Sequence, residues 1–242
     1  MELKGAKAIV TGGDGGYGFG IARALLEAGA EVWITGRNAA KLAEAAQRLG
    51  ARAHAVQADA SVSADWDRLF AEVGEDVALL VNNAGFGGAI VEVADQREEN
   101  IASVVATNLT GVIYGSSRAA ARMRARRAGL IVNISSVCAR YAWPGWSVYS
   151  AAKAGLSAFS RGLYAELRPY GVRVACVTPS WGQTDFNAAA GIRGAAESPD
   201  TASRCISPEE MGRLVRGIAE TPDHLAVSEL TVLPMIQEIV PM

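Results

Sequence analysis

Tyr149 and Lys153 stand four residues apart, a spacing that puts both side chains on one face of a helix. The pair is suited to moving a proton. A free phenol, with a pKa near 10, is not a base at neutral pH, but an adjacent ammonium favours the phenolate and lowers that value. Ser135-Ser136 comes shortly before the tyrosine and supplies hydroxyls that can hold a substrate oxygen. Asn82-Asn83-Ala84-Gly85 adds amides, as does Asn108 within Thr107-Asn108-Leu109-Thr110-Gly111. Each residue taken singly has an ordinary reading, with Ser136 ending a strand and Asn108 capping or bending a helix.

A second cluster, Thr11-Gly12-Gly13-Asp14-Gly15-Gly16-Tyr17-Gly18, contains G-x-G-x-x-G from Gly13 to Gly18. In a chain with 26 glycines the pattern alone is weak. Its position carries the weight, because it follows a strand and opens a helix. Glycines let the backbone approach a pyrophosphate, and the helix's free N–H groups and positive dipole end stabilise the anion. A dinucleotide is expected here, bordered by Gly12, Asp14, Gly16, Tyr17 and Gly18. The next strand should read the adenosine ribose, and a site selecting NAD places an acid at its end. Thr35-Gly36-Arg37-Asn38 stands there instead, and Glu31 lies at the strand's other end. Gly36 is expected to leave room for a 2′-phosphate, which Arg37 can grip through its charged fork. NADP is the expected cofactor and NAD the alternative, with Asp14 the one feature that would repel the extra phosphate.

Positioning these groups takes strands and helices in alternation. Strands are predicted over Ala6–Thr11, Glu31–Thr35, Ala53–Gln57, Val77–Asn82, Leu130–Ile134, Val172–Val177 and Ala226–Leu233. Helices are predicted over Gly18–Ala28, from Asn38 as N-cap to Gly50, over Ser63–Val73, twice within Arg97–Ala128, and over Ser147–Tyr170 and Pro208–Glu220. Seven strands separated by helices, several apolar on both faces, imply an α/β, doubly wound, Rossmann-type parallel sheet with helices on both faces. No linker, repeat or charge block divides the chain, so residues 1–242 are expected to form a single domain. Residues 185–207 read as an irregular substrate lid.

Composition excludes several function classes. Half of the 242 residues are apolar and 20% are charged, enough for a sizeable core without disulfides or metals. Twenty-three Lys and Arg against 25 Asp and Glu give a net charge of −2, without the basic surplus of a nucleic-acid binder. No apolar run is long enough to predict a membrane span. Met1–Lys7 lacks the apolar core of a secretory signal, and Cys138, Cys176 and Cys205 are spaced as free thiols in a reducing cytoplasm. His54 and His224 are isolated, so no metal is expected. Arg118, Arg122, Arg124, Arg126 and Arg127 precede Gly129 and read as cations at a helix C-terminus.

The ensemble resembles the short-chain dehydrogenase/reductase family, in its compact single-domain branch, over essentially the whole chain. The Thr11–Gly18 turn, Asp59, Asn82–Gly85, Asn108, Ser136, Tyr149, Lys153 and Pro179 to Thr184 carry the resemblance. It implies an oxidoreductase that interconverts an alcohol and a ketone or aldehyde by hydride transfer. Tyr149 would exchange the proton, Ser136 would hold the substrate oxygen, and Lys153 would also bind the nicotinamide ribose. Asn108 would hold a water linking Lys153 to solvent. Asp59 and Ala60 would contact adenine, and Asn83, Ala84 and Gly85 would line the ribose. Pro179 and Thr184 would border the nicotinamide, Thr184 bonding its carboxamide. Ser180-Trp181 follows Pro179 where the family usually has glycine, and Gly15 stands where NADP-dependent members often carry a base. A homodimer or homotetramer is implied as well. An NAD-dependent sugar, polyol or hydroxy-acid dehydrogenase and a non-catalytic dinucleotide-sensing regulator are the other readings.

Cys138, Tyr141, Trp143 and Trp146 lie between Ser136 and Tyr149, and Trp181 and Phe186 lie in the other loop bordering the expected cleft. Together with Ser136 and Tyr149 they are the candidate substrate contacts. Such rings cover an apolar substrate or stack on a sugar's C–H face, and packing at a subunit contact accounts for them equally. Arg140, Arg193 and Arg204 could bind a substrate carboxylate or phosphate, although arginines are mostly surface residues. The apolar Leu233–Met242 reads as a subunit contact.

Overall fold

Apolar, β-branched runs form strands that alternate with amphipathic helices throughout the computed structural model, which describes residues 1–141, 143–186 and 198–237. The first half runs β1 (Lys7–Thr11), α1 (Gly16–Glu27), β2 (Glu31–Gly36), α2 (Ala39–Leu49), β3 (Ala53–Gln57), α3 (Ser63–Val73) and β4 (Val77–Asn82). Then come α4 (Glu98–Val105), α5 (Gly111–Arg126), β5 (Gly129–Ile134), α6 (Ser147–Leu167) and β6 (Val172–Pro179). A short α7 (Pro199–Ser203), α8 (Pro208–Glu220) and β7 (Glu229–Val232) follow.

The strands form one parallel sheet in the order β3-β2-β1-β4-β5-β6-β7. Successive strand residues face opposite sides, and both sides here are apolar. Val10 and Ile34 pack with α1, α2 and α8 on one face, while Ile9 and Trp33 meet α3, α5 and α6 on the other. Burying a side chain of this size stabilises the fold by about 1.5–3 kcal/mol. Chain progression reverses between β1 and β4, which opens a crevice at the carboxyl rim of the sheet. That is the rim to which the turn after β1 and the loops after β4, β5 and β6 belong.

Local signals set most boundaries. Asn38 accepts a hydrogen bond from the Lys41 N–H at 3.0 Å and starts α2. Ser207 and Glu210 form a reciprocal capping box at the start of α8. Several boundaries depart from the sequence reading. Helix α1 begins at Gly16, two residues early; α6 ends at Leu167 in a 3₁₀ turn because Pro169 cannot continue it; and β7 is shorter than predicted. A wide π turn, Ala106–Thr110, joins α4 to α5 where a plain helix was expected.

Beneath the carboxyl rim, a buried polar chain ties strands to helices. The Asn82 amide donates to Ser116 Oγ at 3.0 Å and to Asn133 Oδ1 at 2.8 Å. The Asn133 amide donates to Ser160 Oγ at 2.9 Å, and Ser160 to the Leu156 carbonyl at 2.8 Å. The arginine run behaves as a helix end: Arg118 pairs with Asp67 at 2.7 Å and Arg122 with Glu75 at 3.1 Å. Leu156, Leu163 and Leu167 are core residues. No helix among the described residues is long and apolar enough to cross a membrane.

Candidate active site

The glycine turn is held in place by β4. The Asn83 and Ala84 N–H groups donate to Thr11 Oγ1 at 3.0 Å each, and Asn83 Nδ2 donates to the Thr11 and Gly12 carbonyls at 2.9 and 3.1 Å. Both amide donors of Asn83 are thus committed to the turn, and the residue also lines the cleft. Gly12 and Gly16 adopt φ of +63° and +48°, the left-handed region that favours glycine. A β-carbon at Gly18 would collide with the Gly12 carbonyl, so Gly18 is packed inside the turn instead of facing the cleft. Helix α1 starts without a side-chain cap and without an acid in its first turn, leaving N–H groups for an anion. This cradle fits a dinucleotide's pyrophosphate.

Strand β5 ends in Ser135-Ser136, and Tyr149 and Lys153 occupy consecutive turns at the start of α6. Lys153 Nζ lies 5.8 Å from the centre of the Tyr149 ring and donates to the Ile134 carbonyl at 2.8 Å. Both side chains are buried. Burial is the main influence on each, pushing the Tyr149 phenol up and lowering Lys153 to about 8. The sequence led us to expect a phenol lowered by the ammonium. The structure corrects the direction: desolvation of the phenolate outweighs the favourable side-chain hydrogen bond with Ser136.

Asn108 sits in the π turn, a feature that widens a helix and recurs at functional positions. Its amide donates to the Phe86 and Val104 carbonyls at 2.9 and 3.0 Å, while its buried Oδ1 has no partner. A β-carbon at Gly85 would lie 2.6 Å from that oxygen and 3.5 Å from Lys153 Nζ, so both atoms face one small space. A buried acceptor without a partner is costly, and a water between it and Lys153 would satisfy it.

Two adjoining cavities, of about 460 and 670 Å³, make one cleft along the rim. The first gathers Gly12, Asp14, Gly16, Tyr17, Asn83, Ala84, Gly85, Ser136, Tyr149, Lys153, Pro179 and Thr184. The second adds Arg37, Asp59 and Ala60. Asp59 also serves its local turn, accepting from Ser61 N–H at 2.8 Å. The expected free space over Gly36 is absent: a β-carbon there would meet the Asp14 carboxyl at 3.1–3.2 Å. Asp14 therefore occupies the place where the sequence reading put a 2′-phosphate. Arg37 and Lys41 border the same cavity, both exposed and without an acidic partner among the described residues.

On the other side of Tyr149 the walls are aromatic. Trp146 stacks on the Tyr149 ring at 4.7 Å, and Phe186 lies 5.7 Å from it. A further cavity of about 190 Å³ holds Ser136, Cys138, Trp143, Trp146, Trp181 and Phe186. Tyr141, expected there, does not line it but packs edge-on against Trp143 at 6.3 Å. Arg140 is paired with Glu229 at 2.9 Å and Arg204 with Asp200 at 3.6 Å, both exposed. Arg193 and residues 187–197 of the expected lid lie outside the described residues, as do residues 238–242 of the apolar terminus. Among the described residues no group of His, Cys, Asp and Glu could hold a metal ion.

The model of the short chain dehydrogenase family matches residues 6–193. The chain belongs to this family. A 3-oxoacyl-[acyl-carrier-protein] reductase of Chlamydia muridarum is 41% identical over 92% of this chain and 88% of its own. An NADP-dependent 3-hydroxy acid dehydrogenase of Escherichia coli is 28% identical over 95% of each. A closed form of serine dehydrogenase complexed with NADP+ superposes with a TM-score of 0.90 at 26% identity, covering 98% of both chains. As a short-chain dehydrogenase the molecule also has cleft residues that sequence reasoning missed. Lys41, one turn beyond Arg37, could have been found from that spacing; Phe86, Ile90 and Gln237 reach the cavities through tertiary contacts that no local pattern marks.

Proposed function

We propose that this chain is an NADP-dependent oxidoreductase that interconverts an alcohol and a ketone or aldehyde, with Ser136, Tyr149, Lys153 and Asn108 as its working residues. The reading rests on one observation: Ser136, Tyr149 and Lys153 share a cavity with the glycine cradle, and the unpartnered Asn108 oxygen faces Lys153 from behind. When bound, the nicotinamide supplies or accepts the hydride at the substrate's carbon. Ser136 holds the substrate oxygen and Tyr149 gives it a proton. Burial keeps the phenol protonated at neutral pH, the state that reduction of a carbonyl needs. Lys153, together with a water held by Asn108, returns the proton from solvent. Asp59 and Ala60, which line the outer cavity, would border the adenine, and Thr184, in the inner one, the carboxamide.

Arg37 and Lys41 are the groups to pair with a 2′-phosphate, and the relatives named for NADP favour the same cofactor. The Asp14 carboxylate over Gly36 supports a second reading, in which NAD is also used because an acid there accepts from a 2′-hydroxyl. The test follows NADPH and NADH oxidation with a panel of neutral and charged carbonyls. Turnover with at least one, abolished in Tyr149→Phe with cofactor binding retained, is the expected result. Binding of the cofactor without turnover of any carbonyl would instead favour a dinucleotide-sensing regulator.

A further inference from the structure

We infer that the substrate of the site proposed above is a neutral, ring-sized apolar carbonyl compound or its alcohol, in preference to an anionic one. The inference rests on the proposed oxidoreductase reading and adds the class of molecule. It starts from the cavity of about 190 Å³ that joins the cofactor cleft at Ser136 and Phe186. For scale, an apolar cavity of about 150 Å³ holds a benzene molecule. Its body is made by Trp143, Trp146, Trp181 and Phe186, with Ile90, Val137 and Pro144 between them.

Two polar groups at the far end of this cavity, Ser180 and Gln237, are engaged with each other. Ser136 stands at the mouth beside Tyr149, where the carbonyl oxygen must sit. At the far end Ser180 donates to Gln237 Oε1, which also accepts from the Trp181 N–H at 3.3 Å. Cys138 is held neutral, its thiol pushed up by burial. No charged side chain is among the described lining residues.

No cation among the described residues lines this cavity. Arg140 and Arg161 share Glu229 at 2.9 and 3.4 Å on the outer surface, and Lys153 lies behind Tyr149 with its ammonium on the Ile134 carbonyl. Asp185 lines the adjoining cavity without a basic partner among the described residues and would repel an anion. An unpaired charge brought into such a pocket loses its water without compensation. A flat apolar ring loses nothing comparable and gains stacking against the tryptophans. In the reduction a C–H bond forms at the carbonyl carbon with the hydride of the reduced nicotinamide. The C=O π bond breaks, its oxygen takes the Tyr149 proton, and the nicotinamide is left oxidised.

The test compares acetophenone, 4-acetylbenzoate, 3-oxobutanoate and propanal as substrates of the full chain, with NADPH and with NADH. We expect kcat/KM for acetophenone to exceed that for 4-acetylbenzoate by about 100-fold or more, the penalty of an unpaired buried charge. Trp181→Ala and Trp143→Ala should each raise the KM for acetophenone about tenfold. Quenching of tryptophan fluorescence by acetophenone, and not by 4-acetylbenzoate, in the protein saturated with NADP+ gives a reading that does not depend on turnover. Equal or better use of 4-acetylbenzoate or 3-oxobutanoate overturns the inference, as does reduction of propanal with no binding of acetophenone. Failure of all four carbonyls with both cofactors overturns the oxidoreductase reading instead, and the quenching still decides the pocket.

Discussion

At the adenosine end of the cleft, between the turn after β1 and the end of β2, charges of both signs face solvent around a cavity of about 670 Å³. At the substrate end, three tryptophans and Phe186 enclose about 190 Å³ with no charged side chain among the described lining residues. The first region recognises its ligand through backbone N–H groups and a contest of charges, in which Asp14 opposes Arg37 and Lys41. On the proposed reading the second discriminates by shape and by the cost of stripping water from an ion. On that same reading, specificity for the cofactor can be tuned by single exposed side chains, whereas specificity for the substrate is set by half-buried aromatic walls.

Tyr149→Phe gives the largest effect expected on that contrast. Loss of the proton donor should lower kcat about 1000-fold, while the Kd for NADPH, read by fluorescence titration, stays within about threefold. A comparable loss of cofactor affinity would mean that the two ends are not independent. Asn133→Ala comes next. It removes a partner from both the Asn82 amide and the Ser160 hydroxyl, which should cost about 3 kcal/mol of stability in urea unfolding.

Proton linkage separates the interior of the substrate end from the exposed charges. Lys153 is lowered to about 8 in the fold, so above that pH the unfolded chain binds more protons than the folded one. Its contribution therefore makes stability rise from pH 8 towards pH 10. The raised Tyr149 works in the opposite sense only above about pH 10, where unfolded tyrosines ionise. Lys153→Met should flatten the slope between pH 8 and 10; an unchanged slope would show that the ammonium is not desolvated.

Smaller effects belong to the adenosine end. Asp14→Asn should raise the ratio of kcat/KM for NADPH over NADH about tenfold, and Arg37→Ala should lower it by a similar factor. If neither moves the ratio, the charges around Gly36 do not read the ribose. The smallest change is expected for Arg140→Gln. An exposed ion pair contributes about 1 kcal/mol or less, so stability and the discrimination against 4-acetylbenzoate should both be nearly unaltered.

The parallel sheet and the closeness of Tyr149 to Lys153 were legible because each depends on short-range spacing. Apolar runs marked all seven strands, and the four-residue spacing of Tyr149 and Lys153 fixed their common helix face. What was hidden depends on the crossing of distant segments. Asp14 meets Gly36 only because β1 and β2 are neighbours and end at the same rim. The direction of the Tyr149 shift was missed because sequence shows a cation nearby and does not show how completely the pair is dried. Gln237 reaches Ser180 from the far end of the chain, and the π turn that aims Asn108 inward has no composition signal of its own.

Asn82 and Asn133 lie opposite one another on β4 and β5. Sliding β5 by one residue would swing Asn133 to the other face and strand both amides in hydrocarbon. Assembly of the sheet is thereby proofread: misaligned pairings are penalised as they form, and the alignment that survives is the one that delivers Ser136 to Tyr149.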